Sequence, residues 1–185
     1  MDTRISIILP YHDMENGAFF LKRAIDSVMS QTYKNYEIVL TKDGKMAENT
    51  NSGIKRATGD LIKILYMDDY LAHENALQGI VEAFKGTWLV TATDNNHNPY
   101  YNDTANTLGS PSALTFKNGL DMYFDERMSW MLDLDFYNRM YKKYCPKTIL
   151  NDVNVCIGIH DGQMTNILTN QEIHTEFNYL KKKYG

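Results

Sequence analysis

Ile5-Ser6-Ile7-Ile8-Leu9 is an apolar, branched run closed at once by Pro10. Proline lacks the backbone donor needed to continue, so the run reads as a short buried strand and not a helix. The next stretch has a different period. From Ala18 to Gln31, Phe20, Leu21, Ala24, Ile25, Val28 and Met29 recur at three- and four-residue steps between Lys22, Arg23, Asp26 and Ser27, the pattern of an amphipathic helix. Tyr36 to Thr41 reads as a strand, Glu48 to Ala57 as a short helix after the polar Asp43-Gly44 turn, and Leu61 to Tyr66 as a strand. His73 to Phe84 suits a helix and Trp88 to Thr93 a strand. This alternation constrains the chain to an α/β domain with a mostly parallel central sheet flanked by helices. A length of 185 residues suits one such domain, 1–185.

The second half is less regular. Asp94 to Gly109 holds Asn95, Asn96, Asn98, Asn102, Asn106 and Pro99 with almost no aliphatic residues, so it reads as a long polar loop. Loops of that length inside a compact domain are usually binding loops or lids. Ala113 to Phe116 looks like a strand, and Leu134 to Tyr144 like a helix with Phe136, Tyr137, Met140 and Tyr141 on its apolar side. Ile149 to Ile159 reads as extended, and Glu172 to Lys183 as a final helix whose Lys181, Lys182 and Lys183 suit the negative end of the helix dipole. Neither an internal repeat nor a linker is visible.

Charge and cysteine content narrow the function classes. Nineteen Lys and Arg against 23 Asp and Glu give a net charge of -4, which argues against the broad basic face of a nucleic-acid binder. Cys145 and Cys156 cannot form a disulfide framework and match no zinc spacing, so packing roles in a reducing compartment are expected. No apolar run approaches the roughly 18 residues of a membrane span. Ile5 to Leu9 is too short for a signal-peptide core, and the expected location is cytoplasmic.

In open α/β sheets, ligands bind beyond the carboxyl ends of the strands. Tyr11 and His12 follow the first strand, Asp43 the second, Asp68 and Asp69 the third. Adjacent carboxylates on a rigid strand exit suit a hard divalent cation, because Mg²⁺ is typically held by one or two carboxylates with water and phosphate completing its shell. A solvated turn or a cap for the following helix is the plain alternative.

Further motifs join these in a fixed order. Ile5 to Tyr11 resembles the first strand and Pro-x-Tyr/Phe-Asn exit of the GT-A fold glycosyltransferases of family 2, the large inverting group. Leu21 to Tyr33, with Ser30-Gln31-Thr32-Tyr33, resembles the family's first helix, and Tyr36 to Val39 its second strand. Asp43-Gly44 is similar to half of its Asp-Asp-Gly-Ser turn. Asn51-Ser52-Gly53-Ile54, Ala57 and Gly59 match its Asn-x-Gly-Ile-x-x-Ala-x-Gly helix, which leads into the metal motif ending at Asp68-Asp69. Phe124-Asp125-Glu126, then Asp133 with Arg139 six residues on, resemble the acidic motif ahead of the catalytic helix. The resemblance covers roughly residues 5 to 165, and the conjunction is far more specific than any one motif.

The resemblance implies a metal-dependent, inverting transfer of a sugar from a nucleoside diphosphate, with UDP the expected nucleotide, to an acceptor hydroxyl. It divides the chain into a nucleotide-sugar-binding half, 1–93, an acceptor and catalytic half, 94–169, and a C-terminal helix, 170–185. By it, Pro10, Tyr11, His12, Asp43, Asn51 and Asp68 belong to the nucleotide site. Asp69 and His160 bind Mn²⁺ or Mg²⁺, and Asp133 is the general base, with Asp135 a live rival. His160 has a hydrogen-bonded turn histidine as its alternative, while imidazole as a ligand favours Mn²⁺ over Mg²⁺. Trp130, beside Met128 and Met131, reads as core. Lys42 replaces the first Asp of the family turn, and only seven residues separate Asp43 from Asn51, where the family normally inserts a helix and a strand. Lys42 or Lys45 could then compensate with positive charge. The implied partners are a nucleotide-sugar donor and a glycan, lipid-linked or other hydroxyl acceptor, with a homo-oligomer left open. A nucleotide-sugar-binding module without transferase activity is the competing reading. An enzyme that makes nucleotide sugars usually carries a Gly-rich phosphate loop, and none is present.

Overall fold

A computed structural model describes residues 3–95, 108–144 and 147–185. The chain runs β1 (Ile5–Pro10), α1 (Gly17–Met29), β2 (Tyr36–Thr41), α2 (Met46–Arg56), β3 (Leu61–Ile64), β4 (Tyr70–Leu71), α3 (Ala76–Ala83), β5 (Trp88–Thr93), β6 (Leu114–Lys117), α4 (Leu132–Lys143), β7 (Thr148–Cys156), α5 (Met164–Ile167) and α6 (Asn170–Tyr184). Among the described residues these strands form one seven-stranded sheet in the order β2-β1-β3-β6-β5-β7-β4. Strands β1, β2, β3, β5 and β7 share one direction, while β6 and β4 run against their neighbours. The expected mostly parallel sheet is therefore present with those reversals. The polar stretch between β5 and β6, including His97 and most of its asparagines, lies largely outside the described residues, as does Cys145.

Side-chain alternation along β1 builds both layers of the core. Ile5, Ile7 and Leu9 pack with Ala24 and Val28 of α1 and with α3 on one face. Ile8 packs with Ile54 of α2, Phe116 and the α4 residues Phe136 and Met140 on the other. Close approach of α2 to β1 depends on Gly53, where a Cβ would lie 2.2 Å from Ile8 Cγ2. Gly59 is equally confined, with Arg4 O and Ser6 N each 2.8 Å from its added Cβ.

Two local readings change in three dimensions. The helix expected from His73 starts at Ala76, because Tyr70 and Leu71 are drawn into antiparallel pairing with Cys156 and Val155. The apolar run expected to continue to Ile159 leaves the sheet after Cys156, and Ile159 is 80% exposed.

Replacing Gly53 with Ala forces α2 from β1, an overpacking cost of about 1–3 kcal/mol. A lower urea midpoint at unchanged m-value is the expected result of equilibrium unfolding.

Candidate active site

The exits of β1, β2 and β3 meet at one edge of the sheet, as their parallel registers require. Asn49 ties the first two exits together: its amide donates to Tyr11 O at 2.9 Å and its carbonyl accepts the Asp43 N–H at 3.0 Å. No periodicity marks Asn49, so sequence reading missed it. Pro10, His12, Lys45 and Asp68 line a cavity of about 480 Å³. Tyr11 stands beside it with Lys42 Nζ 5.7 Å from its ring centroid, and Asp43 sits exposed on the rim, accepting from Ser52 Oγ at 2.5 Å. Lys42 is engaged by Asp13 at 2.7 Å, leaving Lys45 as the lysine that lines this cavity.

Asn51 lies inside the fold. It is only 2% exposed, and its amide exchanges hydrogen bonds with the Phe124 backbone at 2.8 and 2.9 Å while also donating to Glu126 Oε1 at 3.0 Å. Those contacts make it an internal strut for the 124–126 segment.

The adjacent aspartates differ in their surroundings. Asp69 is 2% exposed and accepts from Gly158 N at 2.9 Å and Ser110 Oγ at 3.0 Å. Burial pushes its carboxyl up to about 7, aided by the Asp68 charge and opposed by hydrogen bonds from Ser112, Gly158 and Ser110. Beneath it, burial pulls the Lys63 ammonium down to about 7, against the attraction of Asp69, and Lys63 donates to Ser112 O. Asp68, by contrast, faces His160, with Oδ2 and Nε2 3.1 Å apart and side chains 24% and 14% exposed. The approach is made possible by Gly158, whose Cβ would fall 2.0 Å from Asp68 O. Behind the pair, Phe20 packs its ring 4.9 Å from the imidazole and Arg23 donates to Asp68 O at 2.5 Å. The donor chemistry, one carboxylate and one imidazole with solvent access, fits a Mn²⁺-like cation that takes its other ligands from water and phosphate. Among the described residues, no group of three His, Cys, Asp or Glu side chains converges as a closed metal site.

A larger cavity of about 950 Å³ shares Asp68 and Tyr66 with the first and reaches Trp130 and Asp133. Asp133 opens the first turn of α4, its Oδ1 accepting from Leu134 N at 2.7 Å. Asp135 is fully buried and is held by Arg139, Lys183 and Tyr184. Arg139 thus pairs with Asp135, four residues away, and not with Asp133. Trp130, expected in the core, is half-buried and lines the cavity, with its indole N–H 3.4 Å from Thr165 Oγ1.

The family model for "Glycosyl transferase family 2" matches residues 6–174. The chain belongs to glycosyltransferase family 2. It is 37% identical over 67 residues to the uncharacterized glycosyltransferase RC0461 of Rickettsia conorii, which is 36% of this chain and 11% of that protein. It is 43% identical over 44 residues to glycosyltransferase GlyA of Streptococcus pneumoniae, 24% of this chain and 6% of the relative. The aligned parts thus make up a small fraction of these curated relatives. Among solved structures, S. aureus TarS 1-349 in complex with UDP superposes with a TM-score of 0.66 at 17% identity, covering 85% of this chain and 61% of that one. Mannosyltransferase PcManGT from Pyrobaculum calidifontis, in complex with GDP-Man and Mn²⁺, gives 0.66 at 14% identity over 88% and 59%. These similarities establish the GT-A fold. Among the described residues, no helix is long and apolar enough to cross a membrane.

The acidic cluster beside α4 carries a pH signature. The Arg127 guanidinium, with Lys183 and Tyr179, holds the Asp125 carboxyl well below the usual carboxylate range despite its burial. A depressed carboxyl pKa stabilises the fold fully above the unfolded value of about 3.9, and that contribution is lost as pH falls through it toward the folded value. Urea midpoints measured from about pH 6 to 2 should therefore fall more steeply for the wild type than for Asp125→Asn.

Proposed function

We propose that this domain transfers a sugar from a nucleoside diphosphate, most readily a UDP-linked donor, to an acceptor hydroxyl with inversion. The observation that carries the reading is the shared cavity edge at Asp68. On one side lie the strand exits with Pro10 and His12, and on the other lie Trp130 and Asp133. A donor bound at the strand exits would have its diphosphate at Asp68 and its sugar directed toward Asp133. The complexes of TarS with UDP and of PcManGT with GDP-Man and Mn²⁺ support this class of donor.

Asp68 and His160 would hold a divalent cation, which neutralises charge on the departing diphosphate. This assignment moves metal binding from Asp69 to Asp68, since Asp69 commits its carboxylate to the surrounding chain. Tyr11 would pack against the base, and Asp43 on the rim would accept a hydrogen bond from it. Asp133, partly exposed on α4, would accept the proton of the acceptor hydroxyl as its oxygen attacks the anomeric carbon. Attack opposite the departing diphosphate inverts that centre. Trp130 offers a flat apolar face for the acceptor sugar. The domain is read as acting inside the cell.

Calorimetry with UDP and other nucleoside diphosphates, with and without Mn²⁺, tests donor recognition directly. Metal-dependent binding is expected for the wild type, with His160→Ala losing most of the metal dependence. Asp133→Asn should retain binding while losing about 10²–10⁴-fold in transfer, measured by diphosphate release. Retained binding with no transfer by the wild type on any acceptor would instead favour a nucleotide-sugar-binding module. Binding by no nucleotide would overturn both.

A further inference from the structure

The segment before α4 carries Trp130, and Asp133 follows two residues beyond Met131 in the first turn of the helix. Met131 is the N-cap of α4 and supplies no side-chain cap hydrogen bond. Helix starts leave backbone N–H groups without intrahelical partners, and an exposed start next to a cavity is free to fray. Here the chain entering the helix, up to the N-cap donor itself, is held by a distant helix. The Glu176 carboxylate of α6 accepts from Ser129 N at 2.6 Å, Trp130 N at 3.0 Å and Met131 N at 2.8 Å, using both oxygens. Charge-assisted bonds to consecutive backbone donors at a helix start are the strong kind, and the helix dipole favours the same charge there.

Helix α6 is itself held in place. Lys183 bridges Asp125 and the buried Asp135, Tyr179 donates to Asp125 at 2.7 Å, and Leu180 is 7% exposed in the core. Its Phe177, Leu180 and Lys181 line the same cavity as Asp133 and Trp130. The family match ends at residue 174, so Glu176 lies outside the stretch that carries the family pattern.

We infer that Glu176 is a positioning residue for the transfer reaction, clamping residues 129–131 so that Asp133 and Trp130 face the donor sugar. The inference rests on the transferase reading above. Glu176 holds a segment whose Trp130 lines the larger cavity with Asp133 and whose Ser129 borders both cavities, whereas Asp68 and His160 pair with each other on other segments. Its loss should therefore lower turnover far more than donor binding.

Glu176→Gln keeps the shape of the side chain and removes its charge. Hydrolysis of UDP-N-acetylglucosamine in Mn²⁺ reads the reactive geometry without an identified acceptor, and hydrogen exchange reads the amides of residues 129–131. Expected for Glu176→Gln are a fall in hydrolytic turnover of about ten- to a hundredfold, UDP affinity in Mn²⁺ within about twofold of wild type, and faster exchange confined to those amides. Glu176→Asp, which retains the carboxylate, should recover part of the turnover. Unchanged turnover in Glu176→Gln would overturn the inference, as would parallel losses of turnover and UDP affinity, which mark general disruption. Failure of the wild type itself to bind UDP or hydrolyse the donor is a distinct result, and it overturns the UDP-linked form of the transferase reading.

Discussion

The site depends on a carboxylate that is almost wholly buried at its edge. Asp69 is buried where the exit of β3, the chain leaving β7 and the segment before β6 converge, and it accepts from Gly158 N and Ser110 Oγ. An unpaired carboxylate in such a place costs several kcal/mol, so its partners must stay in place for the fold to persist. By holding Gly158, Asp69 carries the β7 exit across β3 and delivers His160 to Asp68. Its removal would free the chain segment that presents the imidazole.

The same logic recurs on the acceptor side. Asp135 is buried among Arg139, Lys183 and Tyr184 and welds α4 to α6, while its neighbour Asp133 remains at the cavity. In both pairs the more buried carboxylate, Asp69 or Asp135, organises the backbone, while its neighbour, Asp68 or Asp133, keeps more exposure to the cleft that Asp69 also borders. Division of labour between close carboxylates follows from environment, since burial with hydrogen-bond donors and access to solvent impose different demands on identical groups.

Helices on the two faces of the sheet support the two halves of the cleft. Helix α1 backs the strand-exit side through Phe20 against His160 and Arg23 against Asp68 O. Helix α6 backs the side of Trp130 and Asp133 through Glu176. The cleft is thus framed by contacts far apart in the chain.

Much of this was determined by sequence alone. The alternation of periods places Tyr11, His12, Asp43 and Asp68-Asp69 at strand exits, and the motif order identifies the family, because both depend on local pattern and spacing. Motif spacing already favoured Asp133 over Asp135 and put Asp68 in the site, whereas tertiary structure decided how deeply Asp69 and Asp135 are buried, that Asn51 is an internal strut, that Trp130 lines the cleft, and that Asn49 and Glu176 brace it. None of the latter has a local signal. A strand exit specifies an edge of the sheet but not which adjacent side chain meets a distant backbone N–H. That choice is made when Gly158 crosses Asp68 and α6 docks on α4, through contacts between residues 89 and about 45 positions apart in the chain.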